Sequence, residues 1–238
     1  MNSPIQKILF GSPGTGKSYA IQNEIIPEVL QIDEKVNPEN VIKTVFHPEY
    51  TYGDFIGKLM PLTNSEDKVE YKFYEGHFLK ALAQAYKNIL SQSEEKEINN
   101  VALVIDEINR GNSSAIFSTV FQLLDRGDDK WSEYGINLSD LELRKLVELI
   151  GFKRVGEESK IPTYKYEGKG YAKTLEKHEE IFSKINIKFK DDKVVGSSIR
   201  IPPNLSILAT MNTSDNSIYF MDSAFKRRWD WQFVNWDE

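Results

Sequence analysis

Four short apolar runs, each closed by glycine or polar residues, set the rhythm of the chain. They are Ile5/Ile8–Leu9–Phe10, Val41–Phe46, Val101–Ile105 and Leu205–Thr210. A fifth stretch, Trp229 to Val234, alternates Trp229, Trp231 and Phe233. The unbroken runs are short and β-branched, the mark of strands buried on both faces of a parallel sheet. Helical periodicity fills the gaps. Lys17 to about Ile26 carries Ala20, Ile21 and Ile25, and Pro27 is expected to end or kink it. Phe78, Leu79, Leu82, Ala83, Tyr86, Ile89 and Leu90 share one helical face. Ile116, Phe117, Val120, Phe121, Leu123 and Leu124 share another, with Asn112, Ser113 or Ser114 as cap and Gly127 as stop. Met221 to Arg228 reads as a short helix before the last strand. Strands alternating with helices imply an α/β fold, a three-layer α/β/α sandwich with a mostly parallel sheet. Ligands of such sheets sit outside the carboxyl ends of the strands.

Two stretches are less regular. HPEYTYGDFIGKLMP carries turn signals at Pro48, Gly53, Gly57 and Pro61, and Val69 to Tyr74 reads as one arm of a hairpin. In residues 128–198, Leu141, Leu143, Leu146, Val147 and Ile150 look helical, Pro162 to Gly170 reads as loop or hairpin, and Leu175 to Ile185 as a short helix. This stretch lacks a convincing core of its own and is expected to be an insertion on the main fold.

Composition narrows the function. The 238 residues contain no cysteine, which removes disulfides and thiolate metal sites. No basic segment followed by an apolar stretch opens the chain, and no apolar run reaches the roughly 18 residues a membrane span needs. A cytoplasmic protein with no membrane role is expected. The 30 Lys/Arg against 36 Asp/Glu leave a net charge of −6, which argues against a bulk nucleic-acid sleeve. Residues 140–200 carry a small basic excess, read as a solvated surface.

Candidate chemistry sits at the ends of the apolar runs. Gly11-Ser12-Pro13-Gly14-Thr15-Gly16-Lys17-Ser18 fits G-x-x-x-x-G-K-[ST], with an apolar run before it and Tyr19-Ala20-Ile21 opening a helix after it. Backbone N–H groups of such a loop face phosphates, and the helix N-terminus adds partial positive charge. Lys17 would reach the β- and γ-phosphates and the Ser18 hydroxyl would ligate Mg²⁺. Asp106, closing the Val101–Ile105 run, can hold the same ion, and Glu107 can orient and deprotonate a water. Asn212, just past the next run, could hydrogen-bond that water or the γ-phosphate without adding charge, although Asn is also common in turns. Lys226-Arg227-Arg228 could simply complement a helix C-terminus. The sharper reading is an arginine finger reaching a neighbouring subunit. His47, His77 and His178 show no metal-ligand spacing and read as structural or surface residues. Trp229, Trp231 and Trp236 read as strand packing.

Together GSPGTGKS, VALVIDEINRGN, LSILATMNTSDNS and DSAFKRRW resemble the AAA+ superfamily, and more narrowly the McrB-type motor of modification-dependent restriction systems. DEINRGN is similar to that group's extended acidic segment, MNTSDNS to its sensor turn, and FHPEYTYGDFIG to the segment after its second strand. The resemblance covers roughly residues 4–127 and 199–238. It implies that Gly11 to Tyr19 bind the triphosphate, with Ser18 and Asp106 on Mg²⁺. Glu107 would be the catalytic carboxylate, Asn212 the sensor, and Asp215 a residue shaping the sensor turn. Asn109 and Arg110 could relay to a neighbouring subunit, and Arg227 or Arg228 would act in trans. It also implies GTP where most relatives use ATP, a hexamer-like homo-oligomeric ring, a McrC-like nuclease partner, and DNA engaged through other domains or subunits. On this resemblance residues 1–238 form the large α/β subdomain with an atypical insertion at about 128–198, and a helical lid is expected to be absent or truncated. Two alternatives stand beside it: a MoxR- or dynein-related ATPase that remodels protein complexes, and a non-hydrolysing nucleotide-gated scaffold.

Overall fold

The computed structural model describes residues 3–91, 98–158, 161–166, 189–190, 193–194, 198–214 and 219–235. Strand β1 (Gln6–Gly11) feeds the glycine loop, and α1 (Lys17–Ala20) follows directly. Beyond α1 the chain keeps turning, but as a wider π-type coil over Ile21–Val29 that contains Pro27. Leu30 N–H accordingly reaches back five residues, to the Ile25 carbonyl at 2.9 Å. Pro27 therefore does not end the helix. Its ring would clash with the carbonyl four residues earlier in an α-helix, and a wider turn relieves that clash. Strand β2 (Val41–Val45) follows.

Thr51 and Asp54 form a capping box around the single turn α2 (Tyr52–Phe55). Strands β3 (Gly57–Thr63) and β4 (Val69–Glu75) pair antiparallel, Lys58 opposite Tyr74 and Pro61 opposite Tyr71. Gly57 and Pro61, expected as turn residues, thus belong to a two-stranded ribbon, where an edge tolerates the missing N–H of proline. Helix α3 (His77–Leu90) buries Phe78, Leu79, Leu82, Tyr86 and Ile89. Each such side chain contributes roughly 1.5–3 kcal/mol by leaving water. Strand β5 (Val101–Asp106) is buried along its first five residues.

The helix expected from Asn112 to Leu124 is broken. The Asn112 side chain caps α4 (Ser113–Phe117), accepting from Ala115 N–H at 3.2 Å. At Ser118 φ turns to 44°, and a tighter 3₁₀ coil carries Ser118–Leu124. Strand β6 (Ile136–Asn137) precedes α5 (Asp140–Ile150), which has a Ser139/Glu142 capping box and a left-handed Gly151 at its end. Leu143, Leu146, Val147 and Ile150 of α5 join the main hydrophobic cluster. Strands β7 (Phe152–Glu158), β8 (Ile161–Tyr166), β9 (Phe189–Lys190) and β10 (Lys193–Val194) form a separate sheet in the order β7-β8-β10-β9. Strand β11 (Ser198–Ile199) pairs back onto β6. The helix expected at 175–185 lies outside the described residues.

Strand β12 (Leu205–Asn212) is two residues longer than the apolar run, so Asn212 is its last residue and pairs with Gly11. Helix α6 is only Ser223–Lys226, capped by Asp222, and β13 (Asp230–Phe233) closes the chain. The central sheet has the order β13-β1-β12-β5-β2, and every pairing in it is parallel. Its two faces carry two cores. Ile8, Leu103, Ile105, Ile207 and Ala209 face α3 and α4. Leu9, Ala102, Val104 and Leu208 face Ile21, Ile25 and Ile26 of the wide coil. Strict alternation along continuous apolar strands therefore produces the three layers. Because the sheet is parallel, the carboxyl ends of β1, β12 and β5 meet at one pole.

Candidate active site

Gly11 must be glycine. A Cβ there would lie 2.4 Å from the Val234 carbonyl oxygen, where the chain leaving β13 runs beside the end of β1. Gly16 takes φ 86° immediately before α1, a left-handed conformation natural to glycine. These two residues shape the loop's entrance and exit. Within it, Lys17 is 6% exposed. Its Nζ donates to the carbonyls of Gly11 (3.1 Å) and Ser12 (2.6 Å) and to Thr15 Oγ1 (3.4 Å). Burial pulls the Lys17 ammonium below the ordinary lysine pKa, and the nearby Glu107 carboxylate opposes that shift.

Ser18 Oγ donates to Asp106 Oδ1 at 3.2 Å, joining the first turn of α1 to the end of β5. The same Oδ1 accepts from Thr210 Oγ1 at 2.9 Å. The Thr210 hydroxyl in turn accepts the Glu107 N–H at 3.1 Å, and the Thr210 carbonyl accepts the Ile108 N–H at 3.0 Å. Glu107 itself sits at φ 57°. That left-handed conformation costs a non-glycine residue about 1–2 kcal/mol and turns the side chain away from the strand direction. The Asn212 side-chain amide donates to Glu107 Oε1. Behind it, Asn109 is buried and its amide donates to the Asn212 carbonyl at 2.8 Å.

Three adjacent strand ends thus bring Gly11–Ser18, Asp106, Glu107 and Asn212 together. The donors present suit a hard cation. Ser18 and Asp106 present hard oxygens that already share a hydrogen bond, and no group of three or more His, Cys, Asp or Glu exists among the described residues that could hold an ion alone. That combination fits Mg²⁺, which takes one or two protein oxygens and leaves the rest to water and phosphate. Tyr19 is exposed at the loop's exit. A cleft of about 550 Å³ opens beside Asn212, walled by Met211, Tyr219, Phe220 and Trp231. A cavity of about 670 Å³ between the wide coil and Asp33–Lys35 touches none of these groups.

The remaining expected residues divide between the site and the opposite pole. Asn109 braces Asn212 within the chain, and Arg110 is exposed next to it. Arg227 and Arg228 stand at the opposite pole, where the Arg228 carbonyl accepts from Gln6 at the start of β1. Arg228 is committed within the fold. It pairs with Asp125 at 2.5 Å, donates to Ala224 O at 2.7 Å and stacks 4.0 Å over the Phe121 ring. Arg227 is exposed and lines a cavity of about 350 Å³ at that pole. Asp215 lies outside the described residues. Sequence reasoning missed Thr210. The available signal was a polar residue closing the apolar run LSILAT, two positions before Asn212.

A parallel sheet with a glycine loop after its first strand, and acidic and amide side chains on the two neighbouring strand ends, defines a phosphate-loop nucleoside-triphosphatase. The sequence model of the AAA domain (dynein-related subfamily) matches residues 6–229, and the chain belongs to that family. Two curated relatives come from restriction systems. The Type II restriction enzyme BsuMI component YdiS of Bacillus subtilis (strain 168) is 28% identical, over 97% of this chain and 57% of its own length. The Type IV methyl-directed restriction enzyme EcoKMcrB subunit of Escherichia coli (strain K12) is 27% identical, over 93% of this chain and 33% of its own. The chain therefore spans about half or less of the relatives it matches. Its AAA domain is thus similar to components of two restriction enzymes, one of them an McrB subunit.

Proposed function

We propose that this chain is the nucleotide-hydrolysing core of a DNA restriction complex, using GTP in preference to ATP and working as a ring of copies with a McrC-like nuclease partner. DNA is engaged through other domains or subunits, and the complex is cytoplasmic. Among the described residues no helix is long and apolar enough to cross a membrane. The observation that carries the reading is the pair of links above the loop, Ser18 to Asp106 and Asn212 to Glu107. Residues 128–198 are read as an insertion on the AAA+ large subdomain, supported by α5 sharing the main core.

In this reading Gly11 to Ser18 bind the triphosphate, and Lys17 exchanges its loop carbonyls for phosphate oxygens. Ser18 and Asp106 would hold Mg²⁺, which supplies neutralising charge at the β- and γ-phosphates. Glu107 takes a proton from water as the water oxygen attacks the γ-phosphorus, and the β-phosphate oxygen leaves. The Asn212 amide holds Glu107 in place for that transfer. Arg227 of one copy completes the site of the next. Its exposure at the opposite pole supports it over Arg228, which is already paired with Asp125.

Phosphate release from GTP and ATP, measured on the full-length protein with its partner, tests the reading. Turnover that survives both Lys17→Ala and Glu107→Gln would defeat it. Competition between GTP and ATP for one labelled analogue tests the base. A second reading, an ATPase that remodels proteins, draws on the dynein-related family match. Stimulation of turnover by a protein substrate, and not by the nuclease partner with DNA, would favour it.

A further inference from the structure

We infer that Thr210 is a positioning residue for both acidic groups of the site, setting the Asp106 carboxylate for the metal and the Glu107 backbone for the base. The inference rests on the hydrolytic reading above. Thr210 lies on β12, while its partners are Asp106, the last residue of β5, and the two residues that follow it. Its hydroxyl donates to Asp106 Oδ1 at 2.9 Å and accepts from Glu107 N–H at 3.1 Å. Its carbonyl accepts from Ile108 N–H at 3.0 Å. On the other side, Phe46 N–H binds the Asp106 carbonyl at 2.9 Å, so Asp106 is gripped from both neighbouring strands.

A hydroxyl suits this place because one oxygen makes both bonds, where an amide or imidazole would need two separate atoms. It donates to one residue and accepts from the next, whereas an ammonium offers no acceptor and a carboxylate no proton. Being neutral, it fixes Asp106 without cancelling the negative charge a divalent cation needs. Ser18 is the other donor to Asp106 Oδ1. Once Ser18 turns its oxygen toward a metal, Thr210 is the donor that stays. The bond to Glu107 N–H acts on the residue held at φ 57° and so aims the Glu107 side chain toward Asn212. Thr210 is 3% exposed, so water does not substitute readily for its hydroxyl.

The test uses Thr210→Val, which keeps the β-branched shape and loses the hydroxyl, and Thr210→Ser, which keeps the hydroxyl. Binding of the better of mant-GTP and mant-ATP is measured on the full-length protein in EDTA and in Mg²⁺, beside turnover. Outer-shell partners of a metal site are worth about 10- to 100-fold. Thr210→Val is expected to lose that factor in kcat and in the Mg²⁺-dependent part of affinity, with EDTA affinity unchanged, and Thr210→Ser to recover most of it. If the valine variant fails to fold, Thr210→Ala against Thr210→Ser carries the same comparison. A valine variant equal to the parent, or a serine variant as poor as valine, overturns the inference. Asp106→Asn separates the two levels. If it leaves Mg²⁺ dependence untouched, the hydrolytic reading fails; if it abolishes that dependence while Thr210→Val matches the parent, only the role of Thr210 fails.

Discussion

Asn212 donates its side-chain amide to the Glu107 carboxylate, so the last residue of β12 holds the first residue beyond β5. The contact crosses one strand spacing and joins two segments about a hundred residues apart in sequence. Glu107→Gln keeps the shape but removes the proton acceptor. Turnover is expected to fall by about 10²–10⁴, the usual worth of a positioned general base. Nucleotide affinity should remain, which phosphate-release and fluorescent-binding assays read separately.

Gly11→Ala should destabilise the fold. The new methyl would meet the Val234 carbonyl oxygen at 2.4 Å, and overpacking of this kind costs about 1–3 kcal/mol. A lowered thermal midpoint without nucleotide is expected. An unchanged midpoint would mean that the strand end moves aside freely.

Arg227 and Arg228 should behave as opposites. Arg228→Ala removes an ion pair whose carboxylate, Asp125, stays about a third exposed to water, and is expected to lower stability by about 1.5–3 kcal/mol. Arg227→Ala should leave the melting curve within about 0.5 kcal/mol, as exposed substitutions do, yet lower turnover. Mixing Arg227→Ala with Lys17→Ala should restore part of the activity, because one mutant lends its arginine to the other's loop. A mixture no better than its components argues against action between copies.

The Glu34–Lys43 pair provides a pH signature. Lys43 donates to Glu34 at 2.6 Å, and that hydrogen bond leads the lowering of the Glu34 pKa below its usual 4.5. A depressed carboxylate stabilises the fold at pH values above its unfolded pKa, and the benefit disappears as pH falls through the folded value. At neutral pH, Glu34→Gln should cost about 0.2–1 kcal/mol, as partly exposed pairs do. The difference from the parent should shrink below pH 4.5 in denaturant melts.

The central strands and the phosphate loop were legible because continuous apolar runs and fixed glycine spacing leave few alternatives. Val101–Ile105 and Leu205–Thr210 became neighbouring strands, and their last polar residues met as the parallel order requires. The helical stretches were less legible where backbone geometry departs from 3.6 residues per turn. Pro27 hid a wide coil, and the left-handed φ of Ser118 split a helix whose apolar spacing looked whole. Thr210 was invisible as a site residue because its partners are defined by strand pairing. The inward bond of Asn109 to Asn212 is hidden for a similar reason, since strand pairing brings the two together. For Arg227 and Arg228 the sequence offers two equal cations, and the contacts of Arg228 with Asp125, Ala224 and Phe121 tell them apart.

Lys17 closes on its own loop, with the carbonyls of Gly11 and Ser12 as acceptors. The loop therefore satisfies its own lysine, and a ligand draws the ammonium away only if it accepts more strongly than two neutral carbonyl oxygens. On the proposed reading an ionised phosphate would meet that demand, whereas an uncharged group would leave the lysine on its carbonyls. Selectivity at this loop would then be a filter on charge at one point in space, acting apart from any contact with the base.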